Sequence, residues 1–318
     1  MKAAIVERAG SIPVYGDFRE PGASSGESRI AVSAAALSPV VKGRASGAHY
    51  SAPGAFPFVV GIDGVGRLDD GRRVFFILPS APFGSMAEWV VVPSSQCVTL
   101  SDGIDDLTAA AIANPGLSSW AALKDRARLK SGETVLINGA TGTSGRLAVQ
   151  IAKYLGARKV IATGRNAASL QSLKALGADE TIQLVEDTDA LDAAFKQSFA
   201  GGVDIVLDYL WGRSAERLLI AGTKAGKEGV PIRFVQVGNA SGASISLPAS
   251  ALRSAPLEMM GSGIGSLPHD RIVGAIDELL QAAARTRFQI ETRTLPLSEV
   301  ERAWPGESCD PRIVFTVR

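Results

Sequence analysis

The sequence has few of the side chains that bind metals or form cross-links. Of its 318 residues, 2 are cysteine (Cys97 and Cys309) and 2 are histidine (His49 and His269). Two cysteines cannot build the disulfide framework that holds small secreted domains together. The histidines are far apart in the sequence and no close cysteine pair accompanies them, so we expect no zinc site built from His and Cys.

An excess of one charge and long apolar runs are also missing. Lys and Arg number 33 against 32 Asp and Glu, and this balance is not that of a nucleic-acid-binding protein. No apolar run approaches the ~18 residues needed to cross a membrane. The apolar run Ala3–Val6 is shorter than the roughly 7–15 residues of a signal-peptide core. We therefore expect a cytoplasmic protein with no nucleic-acid or membrane partner.

The length predicts about two domains, at roughly 150 residues per domain. Residues 1–116 contain short runs rich in Val, Ile and Phe, with Gly, Pro and Ser clusters between them. These runs cover residues 2–7, 28–33, 72–78 and 88–92. Many short strands separated by turns predict a small β-barrel or sandwich.

From residue 117 the pattern changes to strands that alternate with helices. Apolar runs at 133–138, 159–163, 203–208 and 232–237 alternate with helical patterns at 146–155, 168–176 and 214–224. This alternation is typical of parallel βαβ units. We predict a doubly wound α/β domain over residues 117–255.

The remaining segment is mixed and is expected to complete the first region. It has helical patterns at 270–287 and 298–304, and strand patterns at 289–295 and 313–317. Ser298 and Glu301 have the spacing of a capping box, which predicts the start of the second helix.

A glycine-rich turn follows the strand at 133–138. Gly139, Gly142 and Gly145 give the spacing GxxGxxG between a buried strand and a helix, inside a βαβ unit. This context gives the pattern meaning, because the N-terminus of such a helix offers free N–H groups to a pyrophosphate. The turn predicts a dinucleotide-binding site. The alternative is a glycine-rich turn without a ligand.

The end of the next strand indicates which cofactor is bound. An acid there would bind the ribose 2′-hydroxyl of NAD, whereas an arginine suits the 2′-phosphate of NADP. The sequence has Gly164, Arg165 and Asn166 at this position, followed by Ser169, and no acid before Asp179. We therefore predict NADPH. The alternative is a solvated arginine at a strand end.

Other motifs do not meet their structural requirements. The segment 222–227 is one residue short of a phosphate-binding loop, and Glu228 replaces the required Ser or Thr. The segment 22–26 matches a nucleophile elbow only formally, because it lies in an N-terminal loop. No tyrosine has a lysine four residues later, so a short-chain dehydrogenase is not supported.

Several segments are similar to one enzyme family. Besides the glycine turn they are residues 84–93, 109–123, 130–135, 148–153 and 176–179. On these the chain is identified as a member of the medium-chain dehydrogenase/reductase superfamily, in its zinc-free quinone oxidoreductase (zeta-crystallin-like) branch. The resemblance covers essentially the whole chain. It implies an α/β protein: a GroES-like β-barrel catalytic domain (1–116, completed by 256–318) and a Rossmann NADP(H)-binding domain with a doubly wound parallel sheet (117–255).

The sequence departs from zinc-dependent members of that superfamily at their metal ligands. Those members have Gly-His-Glu where this chain has Gly61, Ile62 and Asp63, and their ligand cysteine matches Ser38 or a neighbour. The four-cysteine structural zinc lobe is missing. The resemblance therefore implies chemistry without a metal. A further departure is the absence, at 181–184, of a tyrosine that often helps to hold the 2′-phosphate.

The resemblance also implies cofactor contacts. The pyrophosphate contacts implied by the resemblance are Thr143, Ser144 and Gly145, next to Gly139 and Gly142. Gly164, Arg165 and Asn166 would hold the 2′-phosphate, and Val237, Gly238 and Asn239 would lie near the nicotinamide. The segment 261–266 either lines the same cleft or forms a loop or dimer-edge strand.

The catalytic candidates lie near residue 50. The resemblance places a substrate-pocket tyrosine at or next to His49, and we expect Tyr50 to donate a hydrogen bond to the substrate oxygen, with His49 as the second candidate. The alternative is that both line the rim of the pocket. Lys42 either faces the cleft or is solvated.

Two classes of function follow from the sequence. One is an NADPH-dependent reductase of quinones, or of the activated C=C bonds of enones and enals. A quinone accepts hydride readily and can take its proton from solvent, which suits a chain with few acid–base side chains. The other is a low-turnover NADPH-binding protein with a structural or sensor role. The family resemblance also suggests a homodimer formed through the Rossmann domains.

Overall fold

The computed structural model describes residues 1–305 and 311–317, so Cys309 lies outside the described residues. In chain order the strands are β1 (Lys2–Val6), β2 (Val14–Asp17), β3 (Glu27–Ala36), β4 (Phe58–Val59), β5 (Asp63–Leu68), β6 (Arg73–Ile77), β7 (Trp89–Pro93), β8 (Cys97–Thr99), β9 (Thr134–Asn138), β10 (Lys159–Gly164), β11 (Glu180–Gln183), β12 (Ile205–Asp208), β13 (Ile232–Gln236), β14 (Leu257–Gly261), β15 (Thr292–Pro296) and β16 (Arg312–Thr316). The α-helices are α1 (Pro39–Ala45), α2 (Asp106–Ala121), α3 (Thr143–Tyr154), α4 (Ala167–Ser172), α5 (Thr188–Ala200), α6 (Gly212–Ala225), α7 (Ala249–Ser254), α8 (His269–Thr286) and α9 (Val300–Ala303).

The chain divides into two compact units. One combines Met1–Asn114 with His269–Arg318, and the other is Pro115–Pro268. The first boundary falls inside α2. The sequence prediction placed residues 256–268 with the first unit, but β14 pairs in parallel with β13, with Leu257 opposite Ile232. Residues 256–268 therefore belong to the second unit, whose sheet β14 extends.

The second unit is built on a six-stranded sheet in the order β11-β10-β9-β12-β13-β14. All neighbouring strands in it are parallel. Every residue of β9 is buried, as expected for a strand covered on both faces. The strand order reverses between β9 and β12, which is where such sheets bind ligands.

One core of this unit joins the sheet to α5 and α6. Phe195 and Phe199 of α5 and Leu218 of α6 belong to the same buried cluster as Leu136 of β9 and Val206 of β12. The sequence did not predict α5, but these two phenylalanines give it an apolar face directed into the core.

The first unit contains two mainly antiparallel sheets. One has the order β2-β1-β4, and the other has the order β15-β16-β3-β5-β6-β8, with β7 also pairing with β3. Strand β16 pairs with β3, with Phe315 opposite Ala35, so the two ends of the chain share one sheet. A buried cluster that includes Leu37, Phe58, Val300 and Phe315 fills the adjoining core.

The predicted capping box at Ser298 does not form. Helix α9 begins at Val300, Glu299 occupies the N-cap position, and no side chain caps the helix. The carboxylate of Glu301 instead accepts a hydrogen bond from the backbone N–H of Tyr15 at 3.1 Å. The Glu301 carboxylate therefore binds the backbone of β2 and not the backbone at Ser298, as the capping box would require.

Within residues 1–305 and 311–317, no helix is both long enough and apolar enough to cross a membrane.

Candidate cofactor and active site

The glycine turn brings the start of α3 against the end of β9. Gly139 has φ +88°, a left-handed conformation that favours glycine. A Cβ on Gly145 would lie 2.4 Å from the carbonyl oxygen of Gly139 and 2.5 Å from Cα of Ala140. No larger residue fits there, so the glycine at 145 is required for the helix to approach the strand this closely.

The N-terminus of α3 is open to a ligand. Gly142 is the N-cap residue, it is exposed, and no side chain caps the helix. A Cβ on Gly142 would meet no atom within 4 Å. The first N–H groups of a helix have no partner within the helix and carry partial positive charge. Thr143 and Ser144 therefore present their N–H groups in a way that fits a pyrophosphate.

A buried hydrogen-bond network supports this turn. Gly139 N donates to Thr163 Oγ1 at 3.1 Å, and Thr163 Oγ1 donates to Asn138 Oδ1 at 2.7 Å. Asn138 Nδ2 donates to Asp208 Oδ1 at 2.8 Å and to Ser214 Oγ at 2.9 Å. The network links the carboxyl ends of β9, β10 and β12 to the start of α6, and it fixes the backbone beneath the glycine turn.

Asp208 organises the turn that follows β12. Its carboxylate accepts hydrogen bonds from Leu210 N at 3.0 Å and from Trp211 N at 3.1 Å. Burial raises the pKa of Asp208, against hydrogen bonds from Asn138, Leu210 and Trp211 that favour the ionised form. Trp211 has φ +59° and ψ −158°, a conformation that costs a non-glycine residue about 1–3 kcal/mol. The Asp208 carboxylate is positioned to hold it there.

The residues predicted to hold the 2′-phosphate follow β10. Gly164 is buried, whereas Arg165 and Asn166 are exposed. Asn166 is the N-cap of α4, and its Oδ1 accepts a hydrogen bond from Ser169 N at 2.9 Å. Gln183 Nε2 donates to the carbonyl oxygen of Arg165 at 3.0 Å, which holds the backbone at this strand end.

The residues predicted to lie near the nicotinamide follow β13. Val237 N and Gly238 N both donate to the carbonyl oxygen of Asp208, at 2.8 and 3.1 Å. Asn239 is exposed. The structure brings these three residues, the glycine turn and Arg165 to one edge of the sheet, because the carboxyl ends of parallel strands share an edge. For residues 261–266 the sequence allowed either a lining of the cleft or a loop or dimer-edge strand. In the structure they consist of the end of edge strand β14 and a short 3₁₀ helix at Ile264–Ser266.

The catalytic candidates lie in the first unit, after α1. His49 Nδ1 accepts a hydrogen bond from Ser51 N at 3.2 Å and lies 2.9 Å from Ser51 Oγ. Burial, and then the charge of Arg44, lower the pKa of His49, so the ring is neutral at physiological pH. Tyr50 is 74% exposed, and its ring centroid lies 4.2 Å from that of His49. The roles of both residues remain predictions.

The residues at the position of the family's catalytic zinc do not fit a metal. Ile62 is buried and apolar, and Ser38 is occupied as the N-cap of α1, where its oxygen accepts from Val41 N at 3.2 Å. Burial raises the pKa of Asp63 to about 6, opposed by Arg312 and by a hydrogen bond from Asn114. Among the residues that the structure describes, no group of three or more His, Cys, Asp or Glu could hold a metal ion.

Several polar side chains that support this site carry little signal in the sequence. Asn138, Thr163 and Asp208 each lie at the carboxyl end of a buried strand. A polar residue that ends an apolar run was therefore the available signal. Tyr209 and Ser118, whose oxygens lie 3.2 Å apart, are 91 positions apart in the chain and gave no local signal.

The architecture of the second unit and its open helix N-terminus define a dinucleotide-binding α/β fold, and comparisons with known proteins agree. A family model described as a zinc-binding dehydrogenase matches residues 145–281. The chain is 31% identical to the "Probable NADPH-dependent quinone reductase tdiC" of Emericella nidulans, over 96% of this chain and 97% of that protein.

Two further proteins are similar to this chain. The quinone oxidoreductase of Thermus thermophilus, whose structure was solved with and without NADPH, superposes with a TM-score of 0.81 at 27% identity over 100% of both chains. The "Trans-enoyl reductase pgmF" of Aspergillus terreus is 28% identical over 44% of this chain and 38% of its own length.

These findings together assign the family. The chain belongs to the medium-chain dehydrogenase/reductase superfamily, in its quinone oxidoreductase branch, and is an oxidoreductase. The resemblance inferred from the sequence and the predicted α/β fold class are both confirmed.

Proposed function

We propose that this chain is a zinc-independent, NADPH-dependent reductase that transfers hydride to a quinone. The observation that carries the proposal is the uncapped N-terminus of α3 behind the glycine turn, with Arg165 exposed at the neighbouring strand end. The names of the Emericella and Thermus relatives support both the cofactor and the substrate class. We further propose that the cofactor binds to residues 115–268 and that the enzyme acts in the cytoplasm.

Each part of the cofactor has proposed partners in this unit. The N–H groups of Thr143 and Ser144 bind the pyrophosphate, next to glycines 139, 142 and 145. Arg165 binds the 2′-phosphate through its guanidinium, which forms no ion pair among the described residues. Gly164 and Asn166 border that phosphate, and the nicotinamide is placed near Val237, Gly238 and Asn239.

When bound, NADPH supplies the hydride, and the chain supplies position and hydrogen bonds. We assign to the Tyr50 hydroxyl a hydrogen bond to the substrate oxygen. His49 is the second candidate: with Nδ1 accepting from Ser51, the neutral ring carries its proton on Nε2 and can donate it in a hydrogen bond. Proton delivery to a reduced quinone needs no further acid, because solvent can supply it.

Reduction of activated C=C bonds in enones or enals is the second candidate function. The similarity to a trans-enoyl reductase over 44% of the chain favours it. Both substrate groups accept hydride by the same chemistry, so the substrate has to be identified by assay.

The decisive experiment follows NADPH oxidation by the purified protein with a panel of small quinones and enones, each with and without a strong chelator. We expect oxidation with quinones and no change with chelator. Turnover with enones alone would replace the first function with the second. Loss of activity on chelation would contradict zinc independence. NADPH binding without oxidation by any member of the panel would leave a structural or sensor role.

A further inference from the structure

The carboxyl ends of β12 and β13 lie on the half of the sheet that would receive the nicotinamide. The strand order places β9, β10 and β11 on one side of the reversal and β12, β13 and β14 on the other. A dinucleotide lies across such a reversal, with one nucleotide over each half. The glycine turn and Arg165 belong to the first half, so the nicotinamide nucleotide is directed to the second. This step rests on the cofactor site proposed above.

Tyr209 is the first residue after β12 and adjoins the end of β13. A Cβ on Gly238 would lie 2.7 Å from the carbonyl oxygen of Tyr209. Ala240 N donates to the same oxygen at 3.2 Å. The backbones of the two strand ends are therefore in contact, and Tyr209 lies directly beside the segment assigned to the nicotinamide.

The Tyr209 hydroxyl belongs to a hydrogen-bonded chain that ends on α2. Its oxygen lies 3.2 Å from Ser118 Oγ, and the Ser118 hydroxyl donates to the carbonyl oxygen of Pro115 at 2.6 Å. Because a serine hydroxyl has one proton and Ser118 gives it to Pro115, the Tyr209 O–H donates to Ser118 Oγ. The lone pairs of the Tyr209 oxygen are left to accept, and the bond to Ser118 fixes their direction.

The hydroxyl is suited to hydrogen bonding and not to proton transfer. Burial raises the pKa of Tyr209 to about 12. The phenol therefore stays protonated at physiological pH. The turn that carries it is fixed as well, because the Asp208 carboxylate accepts from Leu210 N and Trp211 N on the other side of Tyr209.

We infer that Tyr209, held in place by Ser118, binds the nicotinamide half of NADPH through its hydroxyl oxygen, which accepts a hydrogen bond from that half. Two groups there can donate: the carboxamide N–H and the ribose hydroxyls. Tyr209 is thus a binding residue and Ser118 is a positioning residue. Neither belongs to the contacts that the glycine turn or Arg165 makes with the adenosine half.

The test measures the dissociation constants of three ligands for the full-length protein by calorimetric or fluorescence titration. The ligands are NADPH, 2′-phospho-ADP-ribose, which lacks the nicotinamide ring, and 2′-phospho-ADP, which lacks the ribose as well. For Tyr209→Phe we expect NADPH to bind about three- to tenfold more weakly, as for one lost hydrogen bond, and 2′-phospho-ADP to bind unchanged. Weaker binding of 2′-phospho-ADP-ribose would identify a ribose hydroxyl as the donor, and unchanged binding would identify the carboxamide.

Two other variants keep this test decisive. Ser118→Ala should also weaken the binding of NADPH, by a smaller factor than Tyr209→Phe. Tyr15→Phe, which removes a tyrosine hydroxyl from the other unit, should change none of the dissociation constants. The inference is wrong if Tyr209→Phe and Ser118→Ala leave the binding of NADPH unchanged. It is also wrong if they weaken the binding of 2′-phospho-ADP as much as that of NADPH. If Tyr209→Phe does not fold, Ser118→Ala decides by the same criterion. Failure of the unmodified protein to bind any of the three ligands would overturn the cofactor site itself.

Discussion

Single residues in the proposed cofactor site differ in how firmly they are held. Asn138, Thr163 and Asp208 are completely buried and hydrogen-bonded to one another or to their neighbours. Arg165, by contrast, is exposed, and Gln183 holds its backbone carbonyl by a hydrogen bond. We propose that the buried network residues shape the binding surface and that the exposed arginine determines which cofactor is preferred there.

Arg165 gives the sharpest prediction about cofactor preference. Arg165→Ala should weaken NADPH binding by ~1.5–3 kcal/mol, because a hydrogen bond to a charged group is lost, and should change NADH binding little. Titration of both cofactors measures this difference. Arg253→Ala, which removes another exposed arginine of the same unit, is the matched control. Equal losses for NADPH and NADH would contradict the role of Arg165 at the 2′-phosphate.

Tyr50 allows a separate test of the catalytic assignment. Its side chain is 74% exposed and packs its ring against His49, so Tyr50→Phe should preserve the loop. If the hydroxyl binds the substrate oxygen, turnover should fall about two- to tenfold, the effect of one neutral hydrogen bond. Steady-state kinetics compare it with Tyr154→Phe, an exposed tyrosine of the other unit. Unchanged kinetics would leave Tyr50 as a residue of the pocket rim.

Among the elements, β14 is the one whose position suggests a second copy of the chain. It is the last strand of the parallel sheet, and an exposed strand edge can pair with another chain. Ser262 N and the carbonyl oxygen of Pro256 face β13. Since backbone groups alternate along a strand, those of Leu257, Met259 and Gly261 point away from it. We propose that this edge forms the homodimer suggested by the family resemblance.

A proline at the outward-facing position tests that interface. Met259→Pro removes an N–H that β13 does not use, so the fold should be retained and the dimer weakened. Light scattering coupled to gel filtration should give twice the 33.1 kDa chain mass for the unmodified protein and for Met259→Ala, and a lower mass for Met259→Pro. A monomeric unmodified protein would refute the dimer, and an intact dimer of Met259→Pro would move the interface elsewhere.

A helix or strand could be predicted from the sequence when the residues that determine it lie within the element itself. Strands β9, β10, β12 and β13 were found as apolar runs, because parallel strands buried on both faces need little else. Helix α2 was missed: it contains Pro115 and a run of alanines, and it has no single apolar face. The prediction of a capping box at Ser298 was wrong, because Glu301 accepts a hydrogen bond from the backbone of Tyr15, which is distant in the sequence.

The same limit applied to the candidate site. The glycine turn and Arg165 were recognised because their meaning lies in short spacings within one βαβ unit. The supporting network was not, because Asn138, Thr163 and Asp208 come from three separate strands and acquire partners only when the sheet forms. The ligand-binding surface therefore stays a prediction from the sequence, and the structure shows which residues hold the backbone there in place.

On the scale of the whole molecule, the two units differ in how the chain builds them. Pro115–Pro268 is continuous, whereas the other unit joins the two ends of the chain, with β16 paired to β3 in one sheet. During synthesis on the ribosome, residues 115–268 are complete while the first unit still lacks β15 and β16. The edge of β3 that pairs with β16 therefore stays unpaired until residues 312–316 emerge, so the first unit cannot be completed before that strand is synthesised.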